Sequence, residues 1–443
     1  MKRTLIVLAL MAIMSGMAAA TETRVATFGP ASMFINDYTD IYFLPANAVY
    51  YPRLIAAEMG SSFPVASDTS WSYGSAALLF ANAEQTFGVV GFDINHVIDG
   101  SDFLSSAVAD VNAAPFGLAI PTPDNRFHVF YAKKLNNLTA GLHIGWAGAS
   151  TTDDQTDTAN AYNYKTEGAS SIWLINGEVL MEVDENTSAE LAVSMKMQSF
   201  NGKVSENWRD PTIEVPPQVN YEYSVESDGG MGLDLELRAE YGMSDNLKLI
   251  PIIVFGTNNI GYKDSYAATG VTYVPFGGNI SSSNFGGAFG CNYKPAEEVT
   301  LVGGLFIGSE KTTVEDTNAV FSVYPGASNK EEVSTFTFPG FCAGLEVDLL
   351  KWLTLRAGAA KTLESSSYSW ERTAGKLEGT ATAAPYFYAF GLGLKFKKLA
   401  VDVKLNNNAP YSMGYFMSGI DNGGVAGVSN TEPITSIGLT YAF

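Results

Sequence analysis

Ser436-Ile437-Gly438-Leu439-Thr440-Tyr441-Ala442-Phe443 closes the sequence on a strict alternation. Ile437, Leu439, Tyr441 and Phe443 occupy one set of positions, and Ser436, Gly438, Thr440 and Ala442 the other. Side chains of a strand point to opposite faces residue by residue, so one face here is apolar and aromatic-ended, the other small or polar. A soluble β-sandwich and a membrane β-barrel both alternate in this way. The rest of the chain has to separate them.

The same two-residue period recurs upstream. Leu233, Leu235, Leu237, Ala239 and Tyr241 alternate with Asp234, Glu236, Arg238 and Glu240. Trp173, Ile175, Val179, Met181 and Val183 oppose Asn176, Glu178 and Glu182, and Leu399, Val401, Val403 and Leu405 oppose Asp402 and Lys404. Tyr386 to Phe396 repeats the pattern. A helix requires apolar residues at i, i+3 and i+4, so these segments read as strands.

Connections separate barrel from sandwich. Short polar turns fall at Asn82–Glu84, Asn136–Asn137, Asp184–Thr187, Ser244–Asn246, Lys294–Glu298, Leu350–Trp352 and Lys397–Lys398. Between them lie long polar stretches, Ser150–Thr166, Asn201–Asp228, Asn258–Ser281, Val314–Glu332, Glu364–Ala383 and Asn407–Thr431, which read as loops. Short turns at one end and long loops at the other are the pattern of outer-membrane barrels, whereas sandwiches mix loop lengths. The expected fold is all-β: a transmembrane antiparallel β-barrel of about 14–16 strands. The barrel proper is expected over residues 52–443, its strands starting near Arg53, with both ends on the periplasmic side. The final segment resembles the closing strand of bacterial outer-membrane barrels, in which the terminal aromatics, here Tyr441 and Phe443, act as an assembly signal.

Composition agrees. The 443 residues are 46% hydrophobic and 12% aromatic, with 43 Gly and 16% charged residues. Lys2 and Arg3, the apolar run Leu5–Met14 and Ala18-Ala19-Ala20 read as a secretory signal over residues 1–20, which places the mature start at Thr21. Beyond it no apolar run is long enough for a membrane helix. Without Lys2 and Arg3 the chain has 24 basic and 46 acidic residues, a net charge of −22. That balance excludes nucleic acid as a partner, because phosphate binding needs a basic face. Cys291 and Cys342 lie on separate predicted strands and indicate no disulfide framework, with the pair as readily unpaired as bridged.

Residues 21–51 do not alternate. They read Arg24-Val25-Ala26-Thr27-Phe28-Gly29-Pro30-Ala31, then Asp37-Tyr38-Thr39-Asp40-Ile41-Tyr42-Phe43-Leu44-Pro45-Ala46. This resembles the N-terminal region of the FadL and toluene-transporter family of outer-membrane proteins. That region has an Arg and small-residue opening, an acidic position and an Asn-Pro-Ala motif. Asp37 or Asp40 matches the acidic position and Pro45-Ala46 the Pro-Ala pair; Leu44 stands in place of the Asn, and Asn47 follows. The resemblance implies a hatch folded inside the barrel, with Asp37, Asp40, Phe43, Pro45, Ala46 and Asn47 as its residues, and passage of hydrophobic molecules. Phe28, Met33, Phe34, Ile35, Tyr38, Ile41 and Tyr42 also make the segment too apolar for a solvated tail.

Charge at the lipid face costs roughly 2–4 kcal/mol for Arg or Lys at mid-bilayer, so the strand charges must point inward. Asp234, Glu236, Arg238, Glu240, Glu346, Arg356, Lys395 and Lys404 are therefore expected in the lumen, as bracing pairs or an ion path. Asp37 and Asp40 are expected to pair with Arg356, Lys395 or Lys404. Catalysis has little to stand on. His128 and His143 are expected diagonally across adjacent strands, yet neither strand carries an acid at that level to complete a metal site. No Ser-His-acid spacing occurs. Asp153, Asp154 and Asp157 lack the spacing of a Ca²⁺ loop and read as solvated acids. No enzyme activity and no cofactor are expected. The leading function is passive uptake of small hydrophobic molecules across an outer membrane; a porin, or a barrel serving secretion or adhesion, is the alternative. The implied partners are outer-membrane lipid, a small hydrophobic ligand or detergent, and the barrel-assembly machinery.

Overall fold

The computed structural model describes residues 21–60, 74–82, 84–112, 118–157, 162–208, 219–268, 277–316, 328–372, 375–405 and 434–443. The strands are β1 (Arg53–Gly60), β2 (Gly74–Phe80), β3 (Val89–Ile94), β4 (Asn125–Leu135), β5 (Leu138–Asp157), β6 (Tyr162–Glu182), β7 (Thr187–Trp208), β8 (Val219–Ser244) and β9 (Leu247–Ala268). They continue as β10 (Gly277–Ala296), β11 (Val299–Asp316), β12 (Ser328–Leu350), β13 (Leu353–Arg372), β14 (Gly375–Ala383), β15 (Tyr386–Phe396), β16 (Leu399–Leu405) and β17 (Ile434–Ala442).

Every pairing is antiparallel, and the last strand pairs with the first from Leu54↔Ala442 to Gly60↔Ser436, so the sheet closes without an edge. β13 pairs with β14 over Glu364–Arg372 and with β15 over Leu353–Lys361. β14 and β15 are thus two segments of one stave, and the wall has sixteen staves rather than fourteen. Phe443 continues the closing seam by donating its N–H to the Arg53 carbonyl oxygen at 3.2 Å.

The two faces of the wall are inverted relative to a water-soluble protein. Trp173, Ile175, Leu233, Leu237, Ile253, Phe289, Leu305 and Tyr441 are exposed on the outside, while Lys196, Arg238, Glu240, Arg356 and Asp402 are buried. Leu235, Val401 and Val403 share the outer face. Lipid solvates the apolar exterior, and closure satisfies the backbone that lipid cannot. The chain is a transmembrane β-barrel, of the kind built into the bacterial outer membrane. Among the described residues no helix is long and apolar enough to cross a membrane.

Six of the short turns fall where the alternation places them; the connection from Phe80 to Val89 is longer than the turn expected at Asn82–Glu84, and residue 83 lies outside the described residues. The long polar stretches do not stay loops. Ser150–Asp157 pairs in register with Tyr162–Ala169, and Asn201–Trp208 pairs with Val219–Glu226, so the hairpins project beyond the lipid belt as continuous sheet. Ser, Thr and Asn satisfy a ladder in water as readily as apolar residues do in lipid, and their lack of hydrophobic contrast hid the strands. The stretch 407–431 and the residues 1–20 lie outside the described residues.

Two segments leave the wall and run along its inner face. Residues 21–52 form the short helix α1 (Glu22–Phe28) and three 3-10 turns, Gly29–Phe34, Tyr38–Tyr42 and Pro45–Tyr50. The second was not anticipated: between β3 and β4 the chain carries helix α2 (Ser101–Asn112) into the lumen. Its signal was present. Leu104, Ala107, Val108 and Val111 recur at helical spacing, and all four are buried against the wall with Ile172, Leu174, Phe200, Tyr223 and Ile260. Residues 52–443 are therefore a wall with an internal excursion, not an uninterrupted barrel.

Candidate functional site in the barrel lumen

The candidate site is the lumen itself, filled from both directions in sequence. At its periplasmic end α1 lies against β13, β15, β16 and β17. Thr21 caps α1 by accepting from the Arg24 N–H at 3.1 Å, and its hydroxyl donates to Asp402 at 3.0 Å. Arg24 then reaches the wall: Nε and Nη2 donate to Glu346 at 2.8 and 3.1 Å, while Nη1 donates to Asp37 at 3.1 Å. Two planar donors matched to one carboxylate fix orientation as well as distance. Arg356 completes the set through Glu346 and Asp402, both at 2.5 Å.

The expected partners of Asp37 and Asp40 are different. Arg356 is taken by wall carboxylates, and Lys395 donates to Asp348 at 2.8 Å. Lys404 is buried on the inner face of β16. Asp37 and Asp40 serve their own turn as a reciprocal capping box, Asp37 accepting from the Thr39 N–H at 3.2 Å and Asp40 from the Asp37 N–H at 2.9 Å. Burial pushes the Asp37 carboxyl up to about 6 against the pull of Arg24. It pushes Asp40 up to about 8 against that of Arg238, which lies 3.7 Å away. Arg238 also donates to Asn36 at 2.5 Å and approaches Glu240 at 3.4 Å. Asp234 is bound to Lys196 instead, and Glu236 sits partly exposed on the same inner face.

Pro45, Ala46 and Asn47 are buried, Phe43 is half exposed, and the Ala46 N–H donates to Glu178 at 2.6 Å. Asn176 holds the preceding carbonyls, donating to the Phe43 oxygen at 2.7 Å and the Tyr42 oxygen at 3.2 Å. The wall makes room for the chain by omitting side chains. A Cβ at Gly141 would lie 2.1 Å from the Ala46 nitrogen, and one at Gly358 would lie 2.6 Å from the Phe28 oxygen. Phe28, Phe34 and Ile35 pack on Ile250, Ile252 and Val302. Tyr38, Ile41 and Tyr42 pack on Leu54, Leu79, Val89 and Phe130.

The described parts of the excursion, residues 95–112 and 118–124, fasten higher up. Lys196, nearly buried, lies 2.6 Å from Asp99 and 2.5 Å from Asp234. Ser170 donates to the Pro121 carbonyl at 2.5 Å, and Asn112 exchanges hydrogen bonds with Ile120. His128 and His143 point inward on adjacent strands at the expected diagonal, 2.8 Å apart, and His96 joins them from the start of the excursion. The acid missing from those two strands stands on the next one: Asp93 faces His128 in register. Among the described residues no group of three His, Cys, Asp or Glu is arranged to hold a metal.

The remaining candidates stay apart from the lumen. Asp153 and Asp154 are exposed on the β5 hairpin, where Asp153 accepts from Gln155 at 2.7 Å; the Asp157 side chain lies outside the described residues. Both cysteines are free. Cys342 is buried, with its thiol on the Gly304 carbonyl, and Cys291 is half-buried on β10.

No family model and no curated relative matches this sequence. Among solved structures the chain is similar to the Pseudomonas putida toluene transporter TodX, at 10% identity and a TM-score of 0.39, over 96% of this chain and 98% of that one. It is similar to the CymD monoaromatic hydrocarbon channel at 10% identity and a TM-score of 0.35, over 95% and 98%. A Pseudomonas aeruginosa FadL homologue gives 10% identity and a TM-score of 0.36, over 95% and 98%.

Proposed function

We propose that this barrel carries small hydrophobic molecules passively across the outer membrane, with residues 21–51 as a luminal hatch. The observation that carries the reading is the apolar packing inside the lumen. A water-filled porin lines its interior with polar side chains. Here Phe28, Phe34, Tyr42, Leu104 and Val108 lie buried on an inner wall that itself offers Ile172, Leu174, Phe200, Ile252 and Ile260. Such a lumen takes up an apolar molecule by exchanging one apolar contact for another, and it offers little to a hydrated ion. Two of the charged clusters hold the segments, Arg24 with Glu346 and Asp37, and Lys196 with Asp99 and Asp234.

Small monoaromatics and fatty acids are the two substrate classes proposed. The test is uptake by cells expressing the barrel, comparing a labelled monoaromatic and a labelled fatty acid with a sugar of similar mass. Uptake raised for either apolar probe and not for the sugar supports the reading. Uptake raised for the sugar alone replaces it with a porin.

A further inference from the structure

All three histidines of the chain meet at one place on the inner wall. His128 Nδ1 lies 2.8 Å from His143 Nε2. The outer nitrogens face carbonyl oxygens, His128 Nε2 that of His96 at 3.0 Å and His143 Nδ1 that of Tyr42 at 3.0 Å. A carbonyl oxygen only accepts, so both outer nitrogens must carry hydrogen. The inner nitrogens then need a third hydrogen between them, because two bare ring nitrogens have nothing to donate. Two neutral imidazoles supply only two.

We propose that His128 and His143 bind one excess proton between them, and that this shared imidazolium fastens both luminal segments to one point of the wall. The carbonyl of Tyr42 belongs to residues 21–52, and that of His96 to the excursion bearing α2. The two segments also meet directly, the Tyr42 ring stacking on that of His96 at 3.4 Å.

Burial of both rings opposes a charge here, and the neighbouring groups are what offset it. Asp93, 2% exposed, stands opposite His128 in the β3–β4 register and accepts from the His96 N–H at 3.2 Å. Glu22 of α1 meets His96 Nδ1. The Phe130 ring stacks 4.5 Å from His143 and 6.2 Å from His128, presenting its electron-rich face. From the Tyr38–Tyr42 turn comes the Tyr42 ring, edge-on at 5.4 Å from His128 and 6.0 Å from His143, and from β6 comes Asn176, opposite His143 and sharing the Tyr42 carbonyl. β5 brings only Gly141 and Gly145 beside the rings. Arg126, two residues along β4 on the same face, is the opposing cation against the two carboxylates.

The pair's chemistry is independent of what the barrel carries. The experiment is nitrogen NMR on full-length protein labelled at histidine with ¹⁵N, in detergent micelles at neutral pH, with the rings assigned by their nitrogen couplings. Three protonated nitrogens across the two rings, with the inner two coupled, are expected. One protonated nitrogen per ring would overturn the proposal. Raising the pH until the shared proton leaves should then lower the amide protection of residues 42–47 and 96–104 together, by about tenfold or more beyond the base-catalysed rise that wall amides share, the worth of a charged hydrogen bond. Asp40 titrates nearby, so Asp40→Asn must show the same joint rise. Exchange that rises in one segment only, or not at all, or that vanishes in Asp40→Asn, would also overturn it.

Discussion

Arg24 and Glu346 form a two-point clamp, Nε at 2.8 Å and Nη2 at 3.1 Å from the two carboxylate oxygens, between the N-terminal segment and β12. Arg24→Ala leaves Glu346 paired with Arg356 but strips Asp37 of its cation. The expected loss in retention of the segment is about 1–3 kcal/mol, the range for charged hydrogen bonds with one partner left behind. Amide exchange over residues 21–52 in micelles should quicken accordingly while the barrel keeps its heat-modifiable mobility on gels. Unaltered exchange would mean the clamp contributes nothing.

Gly141 faces the Pro45–Ala46 backbone so closely that any side chain collides with main chain rather than with a flexible tip. Gly141→Val is therefore expected to displace the segment without unfolding the wall, because valine suits a strand. Protease sites within residues 38–51 should become cleavable in folded barrel. Continued protection would show that the segment shifts locally and stays seated.

Leu235 and Glu236 are neighbours on opposite faces of β8. Leu235→Arg places charge in lipid at a cost of about 2–4 kcal/mol near mid-bilayer and should reduce the folded fraction in membranes. Glu236→Gln, inside, should assemble as the parent does. Equal yields from both would contradict the assigned faces.

Leu104 is fully buried between α2 and the wall. Leu104→Ala is expected to destabilise by about 2–5 kcal/mol, and the loss should fall on the excursion rather than the barrel. Faster exchange confined to residues 95–112, with wall strands unchanged, is the expected map. A uniform loss across the wall would mean that α2 is part of the barrel's own core.

The strand alternation was legible because lipid outside and water or protein inside impose opposite chemistry on successive residues. It fails where the setting changes. Near Ser227–Gly229 the register of β8 shifts, and Gly229 takes a positive φ of 87° that glycine tolerates. Past that point Tyr223 and Val225 turn inward onto the α2 cluster while Glu222 and Glu226 face out. The stretch reads as polar loop although it is sheet. Asp93 was overlooked as the acid beside the histidines because its strand pairs with β4 across a long excursion that hides the register. The partners of Asp37 and Asp40 escaped for a simpler reason. A side chain that caps its own turn looks, in sequence, like one available to the wall.

The central claim is that residues 21–51 close the lumen of a channel for apolar molecules. Planar-bilayer conductance of the full-length protein against a variant lacking 21–51, both verified as folded barrels, tests it most directly. The full chain should give no persistent large openings, and the deletion should give steady ones. Persistent openings in the full chain, or an unchanged trace after deletion, would contradict the account.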